Sequence, residues 1–180
     1  MRTSDGQSCK VYFFAMSLSR SRYKFIYFSR TPFTTALAVY AHELGFKYFR
    51  GVPHKIVYDQ DKLFLVKENL GDLMLTSGFR ALVREHGFEA VFCHKSDPQS
   101  KGKIENVVKY VKYNFLRCRE FTHIDLLNKE VLGWLERTAN GTEHHGIRRV
   151  PTEEFEIEKP YLMPYNGVPK APVENLAPHH

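Results

Sequence analysis

Ser96-Asp97-Pro98-Gln99-Ser100-Lys101-Gly102-Lys103-Ile104-Glu105-Asn106-Val107-Val108-Lys109-Tyr110-Val111-Lys112 is the stretch on which the reading of this 180-residue chain turns. A loop of Pro, Ser, Gly and Lys opens straight into a helix. With a start near Ser100, the apolar residues Ile104, Val107, Val108, Val111 and Phe115 recur at helical spacing and form one buried stripe. Lys101, Glu105, Lys109 and Lys112 run along one flank of that stripe. Two readings of Glu105 follow. In one, the flank is solvated and Glu105 pairs with Lys101 and Lys109, each pair contributing roughly a few tenths of a kcal/mol. In the other, an acid set among lysines near a helix start holds a divalent cation while the bases hold phosphates.

A second element bears on that choice. Lys55-Ile56-Val57-Tyr58 reads as a short buried strand that ends on Asp59-Gln60-Asp61. Acids at a strand end are placed to share a metal with a carboxylate from a distant helix, because strand ends open into a common crevice. The segments Lys55-Ile56-Val57-Tyr58-Asp59, Pro98-Gln99-Ser100-Lys101-Gly102-Lys103-Ile104-Glu105 and Val111-Lys112-Tyr113-Asn114-Phe115 resemble the second and third acidic motifs of the IstA-type insertion-sequence transposases. That family lies within the retroviral-integrase-like superfamily, which carries an Asp-Asp-Glu triad on a ribonuclease-H-like fold.

The resemblance covers most of Lys10 to Phe155 and implies a specific chemistry. Asp59 and Glu105 would be catalytic metal ligands, with Asp61 a loop residue beside them. Two Mg²⁺ (or Mn²⁺) ions roughly 3.5–4 Å apart would serve phosphoryl transfer on DNA. The reactions implied are nicking at transposon ends and strand transfer into target DNA. Lys101, Lys103, Lys109 and Lys112 would neutralise phosphates near the scissile position, and Arg20 and Arg22, in a charged hairpin tip, are further DNA-binding candidates. An ATPase helper protein and a homo-oligomer of the full-length protein are implied partners. In the resembled family the first Asp sits on a strand before the opening hairpin. That strand would lie upstream of Met1, leaving Asp5 in the turn, and the chain as given is then expected to be inactive. A non-catalytic DNA-binding or assembly fragment, and a metal-dependent nuclease on the same fold, stay open as alternatives.

Composition agrees with a nucleic-acid partner. The formal net charge is +6, which favours polyanions over acidic proteins. Cys9, Cys93 and Cys118 are widely separated, so neither a disulfide framework nor a zinc knuckle is signalled, and a reducing, cytoplasmic, nucleoid-associated setting is expected. No apolar run reaches bilayer-spanning length.

Taken in order, Asp5-Gly6 predicts a hairpin turn. Val11 to Ser17 and Tyr23 to Phe28 predict antiparallel strands joined by Ser19-Arg20-Ser21-Arg22. Thr34 or Thr35 caps a helix with Leu37, Tyr40, Ala41, Leu44 and Tyr48 on its inner face, stopped by Gly51-Val52-Pro53. After the strand to Tyr58 come a β-hairpin over 64–75, then a helix from Thr76 or Ser77 with Phe79, Leu82 and Val83 inward, ended by Gly87. Ala90 to Cys93 is a buried strand leading to the Glu105 helix. Ile124, Leu127, Val131, Trp134 and Leu135 define another helix that Asn140-Gly141 breaks. The order predicts an α/β, ribonuclease-H-like mixed sheet with helices on both faces and a truncated first strand. Residues 1–120 form the core, 121–159 a helical extension and 160–180 a Pro-rich linker or arm.

Overall fold

The computed structural model describes residues 1–59, 76–93 and 98–172, the side chains of Asp59, Cys93 and 98–102 excepted. The expected hairpin over 64–75 and Asp61 lie outside the described residues. The elements are β1 (Arg2–Thr3), β2 (Tyr12–Ser17), β3 (Lys24–Ser29), α1 (Thr35–Phe49), β4 (Lys55–Asp59), α2 (Ser77–His86), β5 (Glu89–Cys93), α3 (Pro98–Tyr110), β6 (Glu120–Phe121), α4 (Ile124–Trp134) and α5 (Pro151–Glu158). The class is mixed α/β. Among the described residues the strands pair in three two-stranded sheets: β1 with β6 in parallel, β2 with β3 antiparallel, and β4 with β5 in parallel.

The β2–β3 ribbon is the centre of the molecule, in register from Tyr12 opposite Ser29 to Ser17 opposite Lys24. Strand side chains alternate between faces, and both faces of this ribbon are covered. Met16 and Phe25 join Phe46 and Phe49 of α1 and Phe79 and Leu82 of α2 in one apolar cluster. Ile26 and Phe28 join Val107 of α3 and Leu127, Val131 and Trp134 of α4 in a second. Helices therefore stand on both faces of this ribbon.

Among the described residues the outer edge of β3 is closed by side chains rather than by a strand. Asn128 of α4 accepts from the Phe28 N–H at 2.7 Å and donates to the Phe28 carbonyl at 2.9 Å. Asn140, fully buried, does the same at Lys24 with distances of 2.8 and 2.9 Å. A primary amide presents a donor and an acceptor side by side, so it reproduces one rung of a β-ladder and removes an open edge.

The local signals explain the helix ends. Thr34 caps α1, its hydroxyl accepting from the Leu37 N–H at 3.2 Å. Arg50 adopts a left-handed conformation after the helix, and the Gly51 N–H returns to the Phe46 carbonyl at 3.1 Å. Gly87 ends α2 at φ +73°, a region where a Cβ would be strained. The Glu105 helix starts at Pro98, two residues before Ser100. It continues as a π-helical segment over Val111–Leu116 that keeps Val111 and Phe115 buried. Arg119 ties this segment to α4: its Nε donates to the Phe115 carbonyl at 3.0 Å, its plane lies over the Phe115 ring, and Nη1 meets Glu130 at 2.6 Å.

Two expectations are corrected. On the predicted inner face of α1, Ala41 alone is fully buried; the buried residues are Ala38, Ala41, His42, Glu43, Gly45, Phe46 and Phe49. The helix is covered by the ribbon, by α2 and by the C-terminal arm, so its buried arc is wider than one stripe. The strand β4 is not buried on both faces among the described residues, since Val57 is 44 % exposed. The stripe on the Glu105 helix holds, with Val107, Val111 and Phe115 buried, as does the α4 stripe of Leu127, Val131, Trp134 and Leu135.

The C-terminal arm is docked as far as it is described. Met163 exchanges both backbone hydrogen bonds with Val52 at 2.8 Å. Gly51 permits that approach, because a Cβ there would lie 2.7 Å from the Leu162 Cβ.

Candidate functional site

The two acids singled out in the sequence sit on neighbouring elements. Asp59 is the last residue of β4, opposite Cys93 at the matching end of β5. Glu105 lies in α3, which packs against both β2 and β4. Glu105 is half-buried, and among the described residues it forms no ion pair with Lys109. Lys103, Lys109 and Lys112 are exposed, while the side chain of Lys101 lies outside the described ones.

The end of β4 is anchored from the α1 side. Tyr58, next to Asp59, is 6 % exposed; its ring stacks on Phe92 and meets Phe79 edge-on. Its hydroxyl donates to His42 Nε2 at 2.9 Å, and His42 Nδ1 donates to the Ala38 carbonyl at 2.6 Å. A carbonyl can only accept, so Nδ1 carries a proton, and the buried ring, kept neutral by desolvation, has Nε2 free to accept from Tyr58. Burial holds the His42 pKa down to about 4 and raises that of Tyr58. No sequence pattern signals this pair: His42 falls beside the apolar stripe expected on α1, and its partner is sixteen residues away.

The basic residues fall into two settings. Lys10, Lys112, Tyr113 and Arg117 line an open concavity of about 760 Å³ between the N-terminal turn and the π-helical segment. Tyr113 is 65 % exposed, whereas Tyr110 packs on Trp134. At the β2–β3 hairpin tip, Arg20 is engaged by Glu154, 2.9 Å from its carboxylate, and Arg22 has a left-handed backbone at φ 62°.

One group of metal-ligand type is formed among the described residues. Glu43, Glu85 and His86 bring ligand atoms within 4.8 Å of one another. Glu43 is already engaged: Oε1 meets His86 Nε2 at 2.5 Å and Oε2 accepts from the Tyr165 hydroxyl at 2.5 Å. The arrangement is a clasp between α1, α2 and the arm. Burial, then the Glu43 carboxylate, raises the Tyr165 pKa and keeps the phenol a donor.

Known proteins similar in sequence to this chain are transposases, several of them of insertion sequences. The transposase for insertion sequence element IS21-like of Bacteroides fragilis is 58 % identical over 176 residues, covering 98 % of this chain and 34 % of that protein. The transposase for insertion sequence element IS21 of Pseudomonas aeruginosa is 32 % identical over 161 residues, covering 88 % of this chain and 41 % of its own length. The transposase for insertion sequence element IS640 of Shigella sonnei is 30 % identical over 149 residues, covering 82 % and 47 %. The chain belongs to the IS21-type insertion-sequence transposases. It spans between about a third and about a half of the length of these curated relatives. No protein-family model matches it. No helix among the described residues is long and apolar enough to cross a membrane.

Proposed function

We propose that this chain serves DNA transposition through metal-dependent nicking and strand transfer, with Asp59 and Glu105 as two carboxylates of the reacting site on a ribonuclease-H-like fold. The observation that carries the reading is the packing of α3, which bears Glu105, against β4, which ends on Asp59. The donor set fits the metal: two carboxylates offer oxygen alone, which suits Mg²⁺ or Mn²⁺ and not a thiolate-seeking ion. When bound, such ions would activate the attacking hydroxyl and stabilise the leaving 3′-oxygen.

The chain's own residues would position the DNA. Lys103, Lys109 and Lys112 stand exposed on the Glu105 helix and its continuation, and with Lys101 they would hold backbone phosphates without reading sequence. Tyr58, pinned by His42, would fix the end of β4 so that Asp59 does not have to be ordered on binding. DNA at the transposon ends and target, a second copy of the protein and an ATPase helper belong to the same proposal.

Mn²⁺ titration followed by electron paramagnetic resonance tests the site. Asp59→Asn and Glu105→Gln are each expected to weaken Mn²⁺ binding by about tenfold or more, the loss of one charged ligand. The two losses should not add, because both remove the same ion. Unchanged Mn²⁺ affinity in both variants would overturn the assignment and return Glu105 to a solvated flank.

A further inference from the structure

Two carboxylates and an imidazole meet where α1, α2 and the C-terminal arm come together. An oxygen of Glu43, an oxygen of Glu85 and a ring nitrogen of His86 all lie within 4.8 Å of one another. Glu43 belongs to α1, while Glu85 and His86 are in the last turn of α2. The donors thus come from two helices that already pack together.

The chain does not balance the charge it gathers there. Glu43 is buried, and among the described residues no Lys or Arg pairs with it. Glu85 is exposed and forms no ion pair among the described residues. His86 carries at most one positive charge against two carboxylates, and like charges this close oppose each other's ionisation. A divalent cation at the common point offsets both acids at once.

The donors are held in place before any ion arrives. The His86 ring meets Phe46 edge-on at 5.3 Å and lies tilted against Tyr165 at 5.5 Å. Its side chain is 6 % exposed. The Tyr165 hydroxyl donates to Glu43 Oε2 at 2.5 Å, which turns Oε1 toward His86 Nε2, also at 2.5 Å. Gly167 lets the arm pass this carboxylate closely, since a Cβ there would stand 3.0 Å from Oε2. Groups that fix a ligating carboxylate from behind are part of a metal site's design. Glu85, the exposed member, marks the side from which an ion enters.

We propose that Glu43, Glu85 and His86 form a zinc-binding site that ties α1 to α2 beneath the arm. One imidazole nitrogen with two carboxylate oxygens is a mixed donor set that suits zinc, whereas the oxygen-only pair of Asp59 and Glu105 suits Mg²⁺. Three protein ligands leave the fourth tetrahedral position to water. With bonds of about 2.0–2.1 Å, ligand atoms around zinc stand roughly 3.3 Å apart, so Oε1 and Nε2 separate by less than about 1 Å on binding. Small side-chain torsions supply that movement, and Glu85 closes in from solvent. The ion takes the place of the Nε2 proton, which leaves to solvent. No residue of the acid pair takes part, so the site stands apart from the proposed function.

Zn²⁺ titrated into the 180-residue chain, with the His86 ring signals followed by NMR, tests the site. Reading that ring separates it from zinc taken by other histidines. A saturable shift of His86 is expected in the wild type, with affinity about tenfold or more weaker in Glu85→Gln, the loss of one charged ligand. Glu85 is exposed, so this variant keeps the fold. Glu43→Gln retains an acceptor for the Tyr165 hydroxyl and should weaken zinc by at least the same factor. Mg²⁺ should leave the His86 signals unmoved. Zinc should also raise the melting temperature of the wild type, and do so less in Glu85→Gln at the same concentration. Absence of a saturable His86 shift in the wild type, or equal zinc affinity in the wild type and both variants, would overturn the site. Asp59→Asn and Glu105→Gln should keep wild-type zinc affinity at His86, so the Mn²⁺ experiment decides the proposed function alone.

Discussion

The two faces of the β2–β3 ribbon are covered by equally apolar clusters that differ in what else they bury. On the α1–α2 face, Met16, Phe25, Phe46 and Phe79 surround a polar network of His42, Tyr58, Glu43, His86 and Tyr165. On the α3–α4 face, Ile26, Phe28, Val111, Phe115 and Leu135 pack together with Tyr110 against them, a phenol whose pKa burial raises further above neutrality. Aromatic contacts knit that second face, with Phe28 against Phe13 and Phe115, and Phe115 against Trp134. One strand, β3, feeds both. The face behind the β4 end thus buries a histidine whose protonation opposes folding, while the face that carries the Glu105 helix is held by packed volume.

That contrast is broken hardest by emptying the second face. Phe28 is fully buried at its centre, and Phe28→Ala is expected to cost about 3–5 kcal/mol, the transfer term plus the cavity. Urea unfolding should show the loss as a lower midpoint at unchanged slope, equally at pH 7.5 and pH 5.

The pH dependence itself should come from the first face. The folded pKa of His42 is about 4 against an ordinary 6.5. Between those values the unfolded chain binds a proton that the folded chain refuses. Stability is therefore full above pH 6.5 and lost as pH falls toward 4, by about 3 kcal/mol in all. His144 titrates in the same window, so the measurement is the difference between wild type and His42→Gln, which keeps hydrogen-bonding groups without titrating. A difference that stays constant from pH 7.5 to pH 4.5 would count against a neutral buried His42.

The smallest effect expected is at the clasp. Tyr165→Phe removes the hydroxyl that donates to Glu43 and should cost about 1 kcal/mol, one hydrogen bond to an acceptor that His86 still holds. Hydrogen exchange at the Met163 amide, which pairs with Val52, should quicken while exchange in β3 does not. Equal acceleration in both would mean that the arm is part of the global fold and not a local latch.

Much of the local structure was legible in the residues. Thr34, Gly51 and Gly87 act at helix ends through backbone groups within a few residues, so their effect needs no distant partner. The antiparallel ribbon, β4 and the stripes of α3 and α4 follow from side-chain period, since β2, β3, α3 and α4 each meet their cluster along one face or two. The reading of α1 fell short for the same reason. Period-based logic assumes one covered side, and α1 meets the ribbon, α2 and the arm, which buries His42 and Glu43 as well.

The sequence by itself determined the class of elements, their order and the acids and lysines worth testing, because propensity, capping and period are short-range physics. Tertiary structure alone decided the partners. Asn140, read as a helix breaker, became the rung that closes β3 at Lys24. Arg20 met Glu154 across 134 residues, and among the described residues Lys24 is buried without an acid paired to it. Such pairings depend on which surfaces the two apolar clusters bring within hydrogen-bonding reach, across separations of 100 residues for Asn128 and Phe28 and 116 for Asn140 and Lys24, beyond the reach of any local pattern.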